Sequence, residues 1–113
     1  ETSFECKAAI DYGALYRQVY NDERLTSEFM DWLRAAGTAN LRECDAAMTG
    51  EDFGYFLEKI PGFMFWLGVE SDYGLHHAKI EPDERAIPVA LDTVEGYFRW
   101  KSESLRTAGR ESS

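Results

Sequence analysis

Two adjacent histidines, His76 and His77, are the residues of this 113-residue chain whose types are best suited to chemistry. They lie in a polar, turn-rich stretch, residues 70–82, that follows an apolar run. In layered α/β folds, the carboxyl end of a strand is where binding sites usually form. Histidine is also the commonest metal ligand and the usual base near neutral pH. The pair alone is open to two interpretations: a functional site or a solvated structural loop.

A group of carboxylates is the second candidate for chemistry. Five acids and no base occur between positions 43 and 58: Glu43, Asp45, Glu51, Asp52 and Glu58. Two of them begin a predicted helix, where the helix dipole favours negative charge. A helix-capping role accounts for the position of Asp52 at the start of this helix, but it accounts less well for the position of Glu51. The group is either a solvated acidic edge or a source of negative field for a cation near a site.

Composition and absent motifs exclude several function classes. The chain contains no glycine-rich phosphate loop, no G-x-S-x-G nucleophile elbow, no HExxH and no zinc-finger spacing. Its 12 basic and 21 acidic residues give a net charge of −9, which argues against nucleic acid and anionic membranes as partners. No apolar run is long enough to span a membrane.

The cellular compartment is expected to be the cytoplasm. There is no basic-then-apolar leader at the start of the chain. Cys6 and Cys44 form neither a CxxC pair nor a disulfide framework, so both are expected to be reduced thiols. Because the first residue is Glu1 rather than Met, we expect that it is not a native translation start.

The elements that must position these residues alternate between strand and helix. Residues 4–12 alternate apolar and polar side chains, which predicts a half-exposed strand of an antiparallel sheet. Residues 22–36 have helical apolar spacing, with Asn21 or Asp22 as N-cap and Gly37 as the C-terminal stop. Residues 39–46 are a weakly supported strand.

A second helix, a strand and a final helix follow. Thr49 and Asp52 resemble a capping box, and the predicted helix ends at Ile60 before Pro61. The continuous apolar run at residues 63–67 predicts a central strand covered on both faces. The last helix is predicted to begin near Asp83 or Glu84, to end near Leu105 and to give way to a polar tail. The apolar side chains expected on the stripes of the two helices are Phe53, Phe56, Leu57, Ile60, Ile87, Ala90, Leu91, Val94, Tyr97 and Phe98.

The fold class indicated by this alternation is α/β. The first strand requires a half-exposed antiparallel sheet, whereas the later strand requires cover on both faces. The simplest account is that the chain begins inside one domain and crosses at residues 13–20 into another.

An ordered series of short motifs resembles the C-terminal part of the zinc-peptidase-like amidohydrolases. This family includes the hippurate, indole-acetyl-amino-acid and N-acetyldiaminopimelate hydrolases. The resemblance extends over residues 4–100 and is closest to the bacterial N-acetyldiaminopimelate deacetylases, because of residues 62–69 and 73–79. The motifs are Met48-Thr49-Gly50-Glu51-Asp52-Phe53, Pro61-Gly62, Phe65-Trp66-Leu67-Gly68, Leu75-His76-His77, Asp83-Glu84 and Ile87-Pro88.

The resemblance implies an α/β fold divided between two domains. Residues 1–13 would be the last strand of an antiparallel lid or dimerisation domain. Residues 14–107 would be the C-terminal segment of a layered, zinc-exopeptidase-like catalytic domain, and residues 108–113 a flexible tail. On this map the chain corresponds to about the last third of a family member.

The resemblance also implies a site. His76 matches a histidine that binds one ion of a two-metal site, whose ions are zinc, manganese, cobalt or nickel. Glu51 and Asp52, with Gly50, match residues beside the site that shape it or touch substrate. The general base and the remaining metal ligands belong to the N-terminal part of the family's chain, so this chain has no catalytic residue of its own. The role of His77 is left open.

The implied function is metal-dependent removal of acetate from N-acetyl-diaminopimelate in lysine biosynthesis. Two alternatives remain: another N-acyl-amino-acid amidohydrolase of the hippurate type, or a non-catalytic binding or structural remnant. The partner would be a small N-acyl amino acid, and the complete enzyme would form a homodimer through its lid domain. We expect the fragment to be inactive alone, because a catalytic zinc site takes about three protein ligands.

Two structural expectations follow. Phe65 and Trp66 should be covered if residues 62–69 are a central strand. The chain should nevertheless expose large apolar surfaces or an unpaired strand edge, since the rest of the enzyme would cover both.

Overall fold

The described part of the chain is helical. The computed structural model describes residues 16–111 and contains helices α1 (Glu23–Ala36), α2 (Phe53–Leu57) and α3 (Ala86–Glu111). Within residues 16–111 no strand is present. The expected α/β class, with its layered sheet, is therefore wrong for these residues. The predicted lid strand at residues 4–12 lies outside the described part.

Helix α1 confirms the expected element and both of its caps. The Asp22 carboxylate accepts a hydrogen bond from the Leu25 N–H at 2.9 Å. At the other end, Gly37 adopts a left-handed φ of 65°, and its N–H donates to the Leu33 carbonyl at 3.0 Å. These contacts satisfy terminal backbone groups that have no partner within the helix.

The core is an aromatic cluster on α1. Phe29 and Leu33 are each only 4% exposed. The Phe29 ring centroid lies 4.9 Å from that of Phe63, 5.3 Å from Phe65 and 5.0 Å from Tyr97. Tilted, offset and edge-to-face ring pairs at these distances are favourable. The cluster therefore joins α1, the chain segment around residue 64 and α3.

The predicted central strand at residues 62–69 is instead an extended segment without a strand partner. It lies against the start of α1, where the Asp22 N–H donates to the Gly62 carbonyl at 2.9 Å. Phe65 and Trp66 are 43% and 47% exposed, so the expectation that both are covered is wrong. A strand needs a neighbouring backbone to form its ladder, and no segment among residues 16–111 provides one beyond this short contact.

Helix α2 is shorter than predicted. It begins after Asp52, whose side chain makes no capping hydrogen bond, so the expected capping box with Thr49 is wrong. Gly54 is buried because the backbone of Arg17 passes close to it: a Cβ there would lie 2.4 Å from the Arg17 carbonyl oxygen. Arg17 also pairs with Glu58, with Nε 2.9 Å from the carboxylate. The weakly supported strand at residues 39–46 has no regular structure.

Helix α3 packs on α1 through a polar contact beside the aromatic cluster. Glu28 accepts hydrogen bonds from the Tyr97 hydroxyl at 2.9 Å and from the Lys101 ammonium at 2.7 Å. The Lys101 hydrogen bond lowers the pKa of Glu28. Burial, followed by the bond to Glu28, raises the pKa of Tyr97 to about 12. The helix continues past Leu105 to Glu111 and so includes part of the stretch expected to be a tail.

A second face of α3 is apolar and uncovered. Its side chains are between 42% and 68% exposed. Together with the exposed Phe65 and Trp66, this face confirms the expectation of exposed apolar surface. Among the helices of residues 16–111, none has the length and apolar character needed to cross a membrane. The residues of the exposed face are Ile87, Leu91, Val94, Phe98 and Leu105.

Candidate functional site

Both histidines lie in a closed loop that we call the histidine loop, residues 69–83. The Asp83 N–H donates to the Val69 carbonyl at 2.9 Å and so joins the two ends. Inside the loop, the Ser71 hydroxyl accepts hydrogen bonds from the N–H groups of Tyr73 at 3.2 Å and Glu81 at 3.3 Å. These contacts hold a segment without helix or strand in a compact form, as in other loops whose ends lie close together.

Ion pairs lie at the base of the histidine loop. The Arg85 guanidinium is 2.6 Å from a carboxylate oxygen of Glu70 and 2.6 Å from one of Asp83. The hydrogen bonds from Arg85 lower the pKa of Asp83 to about 2. Asp83 is therefore ionised at neutral pH and available to the guanidinium. Arg85 was not predicted from the sequence, although its spacing of two residues from Asp83 is a local signal.

His77 is exposed but makes several contacts with other residues of the loop. Its ring stacks on that of Tyr73, with a centroid distance of 4.4 Å and an interplanar angle of 13°. Its Nδ1 atom accepts a hydrogen bond from the Lys79 N–H at 3.1 Å. Its backbone N–H donates to Gly74 and its carbonyl accepts from Ile80. One imidazole nitrogen is therefore already engaged, and the ring acts as part of the loop's support.

His76 is exposed like His77 but differs from it in its contacts. Its backbone adopts a φ of 66°, which is uncommon for a residue with a side chain. Its imidazole makes no hydrogen bond or ion pair with any residue between 16 and 111. Both ring nitrogens are thus available to a ligand, unlike those of His77.

The other predicted site residues lie in the connection that leads into α2. Gly50 packs under the ring of Tyr16, since a Cβ there would lie 2.9 Å from the Tyr16 Cδ2 atom. Glu51 is half-buried and Asp52 is exposed. Neither carboxylate forms a hydrogen bond or an ion pair with another described side chain. This part of the chain therefore supplies two free negative charges.

The described residues do not form a complete metal site. Between residues 16 and 111, no group of three or more His, Cys, Asp and Glu side chains is arranged to hold a metal ion. His76 is consequently not gathered with Glu51 and Asp52 into one donor set. A single free imidazole fits one ligand position of a metal, whereas a zinc site takes three or four protein ligands.

Comparison with known proteins identifies the family but no structural relative. No solved structure matches this chain. Residues 6–99 match the model of Peptidase family M20/M25/M40. This match includes the histidine loop, the connection before α2 and most of the described helices. Membership of this family supports a hydrolase-type function in general, and members of the family are generally metal-dependent. The chain belongs to Peptidase family M20/M25/M40.

Proposed function

We propose that this chain is part of a metal-dependent amidohydrolase that removes acetate from N-acetyl-diaminopimelate, and that His76 is one of its metal ligands. Three observations support the proposal: membership of the peptidase family, the likeness of residues 62–69 and 73–79 to the deacetylases, and the free imidazole of His76. The single observation that carries the hydrolase function is the match of residues 6–99 to the peptidase family. The assignment of His76 rests on its contrast with His77, whose imidazole is engaged within the loop.

The proposed chemistry assigns separate tasks to the chain's residues. When bound, a divalent metal lowers the pKa of a water and polarises the amide carbonyl. His76 would offer a neutral imidazole nitrogen from the histidine loop, whose internal hydrogen bonds restrict where that nitrogen can lie. The Glu51 and Asp52 carboxylates would lie near the site and interact with the one free, cationic amino group of the N-acetylated diamino acid.

The proposal extends to the organisation of the complete enzyme. Residues 1–13 would end a lid or dimerisation domain, and residues 14–107 would belong to the catalytic part. The general base and the other ligands would come from a preceding part of the polypeptide. The metal pair would be drawn from zinc, manganese, cobalt and nickel. The enzyme would be a cytoplasmic homodimer, without a nucleic-acid or membrane partner.

The test compares His76→Ala with His77→Ala in the longest native polypeptide that contains these residues. Loss of a metal ligand should lower metal content by about one ion and reduce kcat by more than the roughly 10- to 100-fold typical of residues around a ligand. Circular dichroism should show that His76→Ala is still folded, because an exposed loop residue contributes little to the core. His77→Ala should retain its metal. Equal, small losses for both variants would contradict the assignment of His76.

Two competing functions require separate measurements. A panel of N-acetyl-diaminopimelate and N-benzoyl amino acids distinguishes the deacetylase from a hippurate-type enzyme by the ratio of kcat/KM values. The second alternative is a non-catalytic binding or structural module. Mass spectrometry of the native protein decides this case: a mature species of 113 residues without metal would support the module, and a longer metal-containing polypeptide would support the enzyme.

A further inference from the structure

We propose that Arg85 is a positioning residue that closes the base of the histidine loop and thereby fixes the direction in which His76 is presented. The importance of that direction rests on the proposed metal-binding role of His76. The closure itself rests on contacts between described residues and does not depend on metal.

One guanidinium joins both ends of the loop. Arg85 Nε lies 3.0 Å and 2.9 Å from the two carboxylate oxygens of Asp83, and Nη2 lies 2.6 Å from Asp83 and 2.6 Å from Glu70. Glu70 is at the start of the loop and Asp83 at its end. The planar guanidinium of arginine can donate hydrogen bonds to two carboxylates at once, whereas the ammonium group of lysine acts as a point charge.

The closed base of the loop restrains two residues whose backbone conformations are unfavourable for residues with side chains. Glu70 has a left-handed φ of 51°, and His76 has one of 66°. Residues with side chains persist in this region only where surrounding contacts hold them. At the base of the loop, those contacts are the Arg85 pairs and the backbone hydrogen bond from Asp83 to Val69. Removing the guanidinium leaves the backbone bond and the hydrogen bond from the Glu81 N–H to the Ser71 hydroxyl, next to two carboxylates that repel each other.

Exposed arginine pairs within a single helix lack this geometry, unlike the long-range pair of Arg17 with Glu58. Arg99 pairs with Glu95 one helical turn away, within α3. Arg34 pairs with Asp31 in the same way within α1. Such pairs join residues that the helix already holds together, and their contribution to structure is small. Arg85 differs because its partner Glu70 is 15 residues away, at the opposite end of a loop.

The experiment uses the 113-residue chain without metal, as Arg85→Ala, Arg85→Lys and the matched control Arg99→Ala. Amide hydrogen exchange is measured over residues 70–83, and the imidazole proton signals of the only two histidines are recorded by NMR. Arg85→Ala should increase the rate of amide hydrogen exchange in the loop roughly tenfold, because local opening of the loop then costs less free energy. It should also remove the ring-current shift that Tyr73 imposes on His77. Arg85→Lys should restore part of both effects, and Arg99→Ala should change neither.

A melting temperature for each variant separates positioning from general stabilisation. If Arg85 positions the loop, Arg85→Ala melts at the same temperature as Arg99→Ala while its loop signals change. Unchanged loop exchange and unchanged His77 signals in Arg85→Ala would overturn the inference. So would a lowered melting temperature accompanied by an equal rise in exchange across α1 and α3. Failure of the proposed function is a different result, in which His76→Ala keeps its metal while Arg85→Ala still loosens the loop.

Discussion

The side-chain amide of Asn21 pairs with both backbone polar groups of Met64. The amide NH₂ donates to the Met64 carbonyl at 2.9 Å, and the amide oxygen accepts from the Met64 N–H at 2.9 Å. A neighbouring strand would make the same two bonds to one residue. Because the two residues are 43 positions apart, this pair fastens the extended segment at residues 62–69 to the start of α1.

Replacement of Asn21 by alanine should therefore detach that segment. Asn21→Ala removes two hydrogen bonds and leaves both half-buried groups of Met64 unpaired, at a cost of about 1–3 kcal/mol in the free energy of unfolding. Urea denaturation followed by tryptophan fluorescence measures this loss. Asn40→Ala is the matched control, since Asn40 is exposed. A change below about 0.5 kcal/mol for Asn21→Ala, typical of surface substitutions, would show that the pair does not hold the segment.

The sequence was most informative where structure is determined locally. Helix α1 was predicted correctly because Asp22, the apolar spacing and Gly37 are all signals within or next to the element. The strand at residues 62–69 was predicted wrongly because an apolar run does not say which backbone will pair with it. That information is non-local, and here the partner is a side chain, Asn21, which no strand pattern reveals.

The candidate site likewise combines features that are visible in the local sequence with features that only the folded loop determines. The sequence singled out both histidines, and the resemblance gave a role to His76 alone, but neither separated their structural environments. The separation depends on the φ of His76 and on the stacking of His77 against Tyr73, which are properties of the folded loop. The closure by Arg85 was missed because it joins two carboxylates from opposite ends of that loop.

The aromatic cluster on α1 predicts a large difference between two phenylalanines. Phe29 is 4% exposed and central to the cluster, whereas Phe98 is 68% exposed on the uncovered face of α3. Phe29→Ala should cost about 3–5 kcal/mol, through lost burial and the cavity left behind. Phe98→Ala should change the free energy of unfolding by less than about 0.5 kcal/mol. Similar losses of thermal stability in the two variants would contradict the position of the core.

The packing of α3 on α1 should weaken at alkaline pH. Burial raises the pKa of Tyr97 from its ordinary value of about 10 to about 12 in the folded chain, so the folded state holds the phenolic proton more tightly than the unfolded state. The stabilisation is complete below pH 10 and is lost as the pH rises towards 12. Tyr97→Phe should flatten this part of the pH profile, measured as the free energy of unfolding. An unchanged slope in the variant would show that Tyr97 is not the group responsible.

The close approach of the chain to Gly54 predicts opposite effects for two glycine substitutions. A Cβ at Gly54 would lie 2.4 Å from the carbonyl oxygen of Arg17, and that backbone atom cannot move aside as a flexible side chain can. Gly54→Ala should therefore cost about 1–3 kcal/mol, in the range of overpacking. At Gly109 in α3, a Cβ would meet nothing within 4 Å, so Gly109→Ala should stabilise by about 0.5–1 kcal/mol through helix propensity. Thermal unfolding of both variants tests the pair. Stabilisation by Gly54→Ala would mean that residues 16–20 do not pack on α2 as described.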